Sequence, residues 1–346
     1  MRAAVVTVPG QLPAYAEHPD PVREEGRTLV EVSAAAITPL DQLCASGTSY
    51  FGTPATPYVP GVQGVGVVRS SGTWPEGTRV WFATDAGMKP GDGSMAELCA
   101  VVDDDLVPLP DGVDAAQAAA LGLSAVAAWM SLTARARLRP GERVLVLGGG
   151  GVVGQVALRA ARLLGASRVV AAARSRGALE RSRAAGADEV VPLAADDDVA
   201  GLAARFESAL GGHADVVVDP LCGLPASAAG LVLGEGGRLV NLGSSAGPTA
   251  TFDSATLRSR SASVLGYTNN ALTKDQRRDA LTAVLTHAAD GALGGRARRS
   301  SPRRDPAGVG GPARRRGEGG AEAVAPAHPA GLASPGEGEG GHPAPR

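Results

Sequence analysis

Pro140 to Gly165 reads PGERVLVLGGGGVVGQVALRAARLLG, and the fold turns on how that stretch is read. Arg143 to Leu147 is almost wholly aliphatic, as expected of a strand buried on both faces of a parallel sheet, and runs directly into four glycines. From Val152 on, apolar residues recur at helical spacing (Val153, Val156, Ala157, Ala160, Leu164), Arg159 and Arg162 fall on the other face, and Gly165 stands at the expected C-cap. The order is strand, glycine turn, helix.

Gly149, Gly151 and Gly154 satisfy GxGxxG. In a dinucleotide site the first glycine permits the tight turn, the second lets the backbone approach a pyrophosphate, and the third lets helix and strand pack closely. The helix opening at Val152 and Val153 would then offer unpaired N–H groups and a positive dipole end to the phosphates. Glycine is abundant in this chain, at 48 residues, so a bland glycine-rich turn is the alternative. The strand before and the helix after supply the context that a nucleotide site requires.

The choice of nucleotide falls at the end of the next strand, Arg168 to Ala173. A site for NAD normally places Asp or Glu there to bind the ribose 2′-hydroxyl. Here the chain reads Ala173, Arg174, Ser175, Arg176, and guanidinium forks with a hydroxyl suit a 2′-phosphate. NADPH is therefore the expected cofactor. The competing reading makes Arg174 and Arg176 ordinary solvated residues opening the next helix.

The 346 residues are enough for about two domains. Net charge is −2 and no basic stripe precedes the C-terminal tail, so nothing in the body of the chain argues for nucleic acid. The three cysteines, Cys44, Cys99 and Cys222, are far apart, which suggests a reducing compartment without disulfides or a zinc ribbon. No secretory leader pattern and no apolar run long enough to span a bilayer is read, so a cytoplasmic protein without a membrane partner is expected.

Residues 1 to about 110 read as short strands broken by glycine and proline: Ala3 to Val8, Thr28 to Ala36, Gly64 to Ser70, Thr78 to Ala83 and Met95 to Val102. Such spacing suggests a small barrel-like β domain. Asp111 to Leu132 is alanine-rich and helical by pattern, carrying Leu121, Val126 and Trp129 toward the domain junction. After the glycine turn, strands and helices alternate, with strands at Val190 and Val191, Asp215 to Asp219, Arg238 to Leu242 and Ser263 to Gly266. Asp196 or Asp197 is placed to cap the helix of Val199 to Leu210, and Lys274 to Ala289 is a last amphipathic helix. That alternation marks a doubly wound parallel sheet, whose cofactor cleft would be lined by strand ends at Asp219 and at Gly243 and Ser244. From Gly294 to Arg346 the chain is Gly, Pro, Ala, Arg and Glu with almost no large apolar residue. It reads as a solvated disordered tail, as a segment touching nucleic acid or membrane through Arg314 to Arg316, or as an out-of-frame C-terminus.

The ordered set AAITPLDQLCASGTSY (Ala35 to Tyr50), YVPGVQGVGVV (Tyr58 to Val68), GSMAE (Gly93 to Glu97), AAALGLSAVAAW (Ala118 to Trp129) and the glycine turn resembles the medium-chain dehydrogenase/reductase superfamily. It looks most like the zinc-independent quinone oxidoreductase branch, over residues 1 to about 293. The resemblance implies an α/β fold with a GroES-like β-barrel catalytic domain (1–120), a Rossmann domain (121–267) and a return toward the first domain, here degraded, over about 268–293. It also implies a homodimer built through the nucleotide domains. The zinc-dependent branch carries a cysteine in the loop matching Ala36 to Asp41 and a His-Glu pair after the glycine matching Gly61; here stand Thr38-Pro39 and Val62-Gln63. Those positions supply none of the ligands a catalytic zinc needs, and the cysteine-rich lobe for a structural zinc is missing. Cys44 reads as a small buried hydrophobe or, less simply, as a nucleophile or ligand, and the five histidines lie away from these motifs.

By the same resemblance the catalytic side includes Thr38, Asp41 and Tyr50, with Ser124 on the interdomain helix; Tyr50 matches a family tyrosine after a one-residue offset, and its alternative is a tyrosine in the barrel wall. Cofactor positions are Ser124, Gly149, Gly151, Val152, Val153, Gly154, Arg174, Ser175, Asp219, Leu242, Gly243 and Ser244; Asp219 either meets the cofactor or terminates its strand. Without a metal, hydride transfer from NADPH to a small-molecule electron acceptor, a quinone first, suits the site. An enoyl or alkenal reductase would share the hydride step and add a proton donor, Tyr50 or Tyr58. A cofactor-binding protein without catalysis and a zinc alcohol dehydrogenase are the other readings.

Overall fold

A computed structural model of the chain describes residues 1–49 and 51–294, which belong to a compact unit spanning Met1–Arg303. Tyr50, and the tail expectation for 294–346 beyond Gly294, lie outside the described residues.

The first domain contains β1 (Arg2–Val5), β2 (Ala14–Glu17), β3 (Arg27–Ala35), α1 (Pro39–Ser46), β4 (Gln63–Ser70), β5 (Arg79–Ala83), β6 (Leu98–Val102) and β7 (Leu106–Pro108). Five strands form an antiparallel sheet in the order β6-β3-β4-β5-β7, and β1 pairs with β2. Bridges from Ala3 to Ala96 and from Val6 to Tyr58 tie the pair to the rest of the domain. Alternate residues of β3 and β6 point inward, and Val30, Val68, Val80, Phe82, Cys99, Val101 and Leu106 make one buried cluster. The strand expected over Ala3 to Val8 stops at Val5, and that over Met95 to Val102 begins at Leu98. The sequence pattern missed β2, which is largely exposed, and β7, which is three residues long and ends in proline.

The helix expected over Asp111 to Leu132 is α2 (Ala115–Met130), started by Asp114, whose carboxylate accepts the Gln117 N–H at 3.0 Å. It breaks at Gly122 (φ 36°, ψ −136°), a conformation open in practice only to glycine. The boundary expected between residues 120 and 121 falls inside this helix, and α2 serves both domains. Ala118, Ala119 and Val126 pack with Val65 and Trp81 of the first domain. Leu121, Ala125 and Ala128 pack with Val156, Ala157 and Ala160 of the second. The expectation that no apolar run reaches bilayer length is corrected at this point: the helical run Ala115–Arg135 is, by length and composition alone, long and apolar enough to cross a membrane. Its apolarity comes largely from alanine and serves these two packed faces, with 56% of its most apolar window buried.

The second domain runs β8 (Arg143–Leu147), α3 (Val152–Leu163), β9 (Arg168–Ala173), α4 (Arg176–Ala184), β10 (Glu189–Pro192), α5 (Val199–Leu210), β11 (Ala214–Asp219), α6 (Gly223–Leu231), β12 (Leu233–Asn241), α7 (Ser254–Ser259), β13 (Ser263–Gly266) and α8 (Lys274–Ala289). Six parallel strands lie in the order β10-β9-β8-β11-β12-β13. The order reverses between β8 and β11, which sets a crevice beyond their carboxyl ends.

Local chemistry differs from the sequence reading in three places. The α5 cap is Asp198, which accepts from Gly201 N–H at 2.8 Å; Asp197 instead pairs with Arg205, and Asp196 is not the cap. Gly165, with φ +85°, sits one residue past the C-cap Leu164. Leu242 lies just beyond β12 rather than in it. Residues 268–293 do reach the first domain: Leu281 and Leu285 of α8 join Trp81 and Val65, Arg277 pairs with Asp105, and Lys274 lies 3.5 Å from Asp104.

Candidate functional site

The glycine turn occupies the crevice between β8 and β11, and its neighbours explain most of its glycines. A Cβ on Gly149 would lie 2.7 Å from Ala171 Cβ and Ser182 Oγ, and one on Gly150 would lie 2.6 Å from Ala178 Cα. On Gly154 it would overlap the Gly148 carbonyl and lie 2.6 Å from Gly149 Cα, so this glycine lets α3 close on the turn as expected. At Gly151 the nearest atom would be Gly148 O at 3.6 Å, which leaves that backbone approachable. The turn itself differs from the reading: the left-handed residue is Gly148 (φ +68°), and Gly149 is a packing glycine.

No side chain among the described residues caps α3, whose N-cap is Gly151, so the first-turn N–H groups at Val152 and Val153 stand without an intrahelical partner at the positive end of the helix. Arg181 Nε and Gln155 Nε2 donate to Gly150 O at 2.9 and 3.1 Å and hold the loop from outside. Neither residue carries a sequence signal for that role.

At the end of β9, Arg174 and Ser175 are exposed. Ser175 caps α4 by accepting from Ala178 N–H at 3.2 Å, which engages one lone pair and leaves its proton free to donate. Arg176 forms an ion pair with Glu180 at 3.0 Å and is the solvated helix residue of the competing reading. Arg174 makes no ion pair or side-chain hydrogen bond with the described residues, and Ala178 in the first turn of α4 packs on the glycine loop.

The loops after β11 and β12 complete the crevice. Asp219 is fully buried; Oδ1 accepts from the N–H groups of Leu221 and Cys222 at 2.9 and 2.8 Å, and Oδ2 accepts from Asn241 Nδ2 at 2.8 Å. Burial pushes its carboxyl above the usual range despite those donors. Both oxygens thus shape the loop. The loop reaches the turn: a Cβ on Gly148 would lie 3.1 Å from Leu221 Cδ2, and one on Gly243 would lie 2.6 Å from Pro220 O. Leu242 N–H donates to Asp219 O at 2.9 Å, and Ser244 stays exposed.

In the first domain Thr38 and Asp41 form a capping box at the start of α1. Asp41 Oδ2 accepts from Thr38 N–H at 2.7 Å and from its hydroxyl at 2.6 Å, and Oδ1 accepts from Val62 N–H at 2.8 Å. Asp41 is 4% exposed, and it acts as a brace between α1 and the start of β4. Cys44 and Tyr58 lie beside Gly87, whose Cβ would be 2.7 Å from Cys44 Cβ and 3.1 Å from the Tyr58 hydroxyl. Burial raises the Cys44 thiol, which fits the small-hydrophobe reading. Burial, with the charges of Cys44 and Asp41, pushes the Tyr58 phenol up to about 12, and its hydroxyl has no hydrogen-bond partner among the described residues. No hydrogen bond among the described residues joins this group to the glycine turn. Ser124 is half-buried just past the α2 break, its hydroxyl without a partner among the described residues.

Gln63, which the sequence marks only as a position lacking the zinc branch's ligand, has a structural role that the sequence does not show. Fully buried, it donates from Nε2 to Ala119 O at 2.7 Å and accepts Leu123 N–H on Oε1 at 2.8 Å. The available signal was a lone glycine, Gly122, inside an alanine-rich helix. His18 pairs with Asp92 at 2.8 Å, His213 lies 3.4 Å from Glu207, and the His287 ring lies 5.3 Å from that of Trp129, tilted by 43°; His328 and His342 lie outside the described residues. Among the described residues, no three His, Cys, Asp or Glu side chains gather as a metal site.

Residues 24–111 match the alcohol dehydrogenase GroES-like domain, and residues 152–286 match the zinc-binding dehydrogenase family. The chain is 29% identical to the quinone oxidoreductase of Mus musculus over 263 residues, covering 74% of this chain and 76% of the other. It is 31% identical to the quinone oxidoreductase of Thermus thermophilus, whose structure is also known in complex with NADPH, with a TM-score of 0.65 over 85% of this chain and 86% of that one. Over 300 residues, 84% of this chain, it is 32% identical to a stretch making up 13% of a phenolphthiocerol/phthiocerol polyketide synthase polypeptide of Mycobacterium tuberculosis. The chain belongs to the medium-chain dehydrogenase/reductase superfamily, in its quinone oxidoreductase-like branch. Its antiparallel first domain is GroES-like, its parallel second domain is Rossmann-like, and it is an oxidoreductase.

Proposed function

We propose that the protein is an NADPH-dependent oxidoreductase that passes hydride to a quinone without zinc. The observation that carries this reading is the glycine cradle under an uncapped α3, with Arg174 uncommitted at the end of β9. Val152 and Val153 would bind the pyrophosphate through their N–H groups, Gly151 would let it approach, and Arg174 with the Ser175 hydroxyl would hold the 2′-phosphate. When bound, the reduced nicotinamide supplies the hydride. The task left to the chain is to orient it and keep water away, with Ser124 and Thr38 nearest that role by family position.

Zinc independence is supported by what stands at the ligand positions of the zinc branch. The Thr38 hydroxyl is engaged in a capping box, Val62 is aliphatic, and the Gln63 amide is bound to α2. The dimer of the family is supported by β13, an edge strand paired only with β12 and carrying an exposed Val264. The division into a first domain to residue 120, a nucleotide domain to 267 and a returning segment, and a cytoplasmic location, are parts of the same proposal.

Titration with NADPH and with NADH by cofactor fluorescence, followed by 1,4-benzoquinone and absorbance at the nicotinamide band, tests the reading. Preferential NADPH binding with quinone-dependent oxidation is expected; binding of neither cofactor would overturn it. One zinc per chain by metal analysis would restore the alcohol dehydrogenase reading. A double-bond reductase is the second reading, favoured by the Tyr58 hydroxyl, which has no partner among the described residues and stays protonated at neutral pH. Loss of enone but not quinone turnover in Tyr58→Phe or Tyr50→Phe would select it. NADPH binding with no acceptor oxidising it would favour the non-catalytic reading.

A further inference from the structure

The break in α2 has an unusual construction. In a continuous α-helix the Leu123 N–H would donate to the Ala119 carbonyl. Here Gln63 of β4 inserts its carboxamide into that rung, donating to Ala119 O at 2.7 Å and accepting from Leu123 N–H at 2.8 Å. Gly122 makes room: any Cβ there would overlap the carboxamide, and its φ of 36° excludes ordinary side chains. On the other side, Asn269, in the turn after β13, donates to the Leu123 carbonyl at 2.9 Å, and Tyr267 donates its hydroxyl to Asn269 Oδ1 at 2.7 Å. A single residue, Leu123, is therefore gripped through its N–H by β4 of the first domain and through its C=O by the turn that follows β13. Ser124, with its unpartnered hydroxyl, comes next.

A glycine within a helix costs about 1 kcal/mol, and a fully buried amide is tolerated only when all its bonds are made. A continuous helix at this point would need neither. We propose that Gln63 and Asn269 are positioning residues: they hold α2 broken at the junction so that Ser124 and the two domains meet in the register the cofactor cleft requires. This rests on the nucleotide-site reading above.

The decisive variant is Q63A/G122A, compared with each single change. Q63A strands the Ala119 carbonyl and the Leu123 N–H, and G122A collides with Gln63, so each lowers Tm. The double variant removes the plug and lets α2 regain its own rung, so Tm recovers toward wild type. NADPH dissociation, read by fluorescence, nevertheless weakens about tenfold or more, since misplacement by about 1 Å at a site can cost this much or more. In that background S124A has no further effect on NADPH affinity, whereas in wild type it weakens binding. N269A, which removes only the outer grip, keeps Tm within a few degrees and weakens NADPH several-fold.

Recovery of both Tm and NADPH affinity in Q63A/G122A would make the break a packing detail and overturn the inference. Failure of Tm to recover would show that Gln63 does not replace a helix rung, and unchanged affinity in N269A would also refute the two-sided grip. Wild-type protein that binds no NADPH would fail the nucleotide reading itself, and the inference with it.

Discussion

Replacing Arg174 with alanine separates a 2′-phosphate donor from a solvated surface cation. Arg174 is exposed and has no carboxylate partner among the described residues, so removing it leaves no buried charge and should not disturb the fold. A guanidinium about 4 Å from a phosphate charge gains about 1 kcal/mol in bulk water and about 4 at the effective dielectric of a protein surface. Hydrogen bonds to charged groups contribute about 1.5–3 kcal/mol net, the range that fits a half-solvated site. At about 1.4 kcal/mol per decade, NADPH binding should weaken about 10- to 100-fold while NADH binding is unchanged. The penalty should shrink as ionic strength rises from about 0.01 to 0.5 M, because the Debye length contracts across that range. Arg176→Ala is the internal control: its guanidinium is paired with Glu180 at 3.0 Å, and NADPH affinity should change less than threefold, about 0.6 kcal/mol. Fluorescence titration of both cofactors at two salt concentrations reads all of these. Equal losses for NADH and NADPH, or no loss in Arg174→Ala, would refute the assignment.

Gly154→Ala would set a Cβ 2.6 Å from Gly149 Cα and should cost about 1–3 kcal/mol in denaturant unfolding. Gly151→Ala meets only ordinary contact at 3.6 Å and should leave stability within about 0.5 kcal/mol while weakening NADPH. Asp41→Ala leaves the Val62 N–H and the start of α1 unpaired and should lower stability by about 2–4 kcal/mol, read as a fall in denaturation midpoint at unchanged slope. Burial, helped by the Asp92 charge, pushes the Cys99 thiol up from 9.0 to about 12. The folded chain therefore keeps that proton above pH 9 while the unfolded chain releases it, and stability falls by up to about 1.4 kcal/mol per pH unit from there toward 12. Unfolding curves at pH 8 and 10.5 should lie closer together for Cys99→Ala than for wild type.

The nucleotide domain was legible because its central strands are buried on both faces. Arg143 to Leu147 and Arg168 to Ala173 are continuous apolar runs with bounds that the structure repeats, as it does for Lys274–Ala289. What escaped the sequence depended on one backbone angle or one distant partner. Among four consecutive glycines, periodicity cannot say which turns left-handed, and Gly148 rather than Gly149 does so. Among three consecutive aspartates, only the residue with extended backbone just before the helix can cap it, and that is Asp198. Thr38 and Asp41 did carry a local signature, Thr-Pro-Leu-Asp with the spacing of a capping box. Family position drew both toward catalysis, while the hydrogen bonds assign Asp41 to holding α1 against Val62.

Thr38, Val62 and Gln63 share a fate that bears on the chemistry. They stand where the zinc branch keeps its ligands, and each polar group among them closes a backbone need: Thr38 opens α1, Asp41 takes the Val62 N–H, and Gln63 fills the rung missing from α2. Restoring a ligand at Thr38 or at Gln63 removes such a bond, whereas at Val62 only the side chain changes and the N–H stays with Asp41; a zinc site using the first two would require rebuilding a helix start and the α2 break. Among the described residues, the nucleotide side leaves uncommitted the N–H groups of Val152 and Val153, the Arg174 guanidinium and the Ser124 hydroxyl, while the first domain leaves the buried Tyr58 hydroxyl without a partner. A site so arranged would, under the proposed function, hold and aim a dinucleotide rather than polarise an alcohol. Under the proposed function, that is why an acceptor needing little Lewis-acid help, such as a quinone, fits this chain better than an alcohol does.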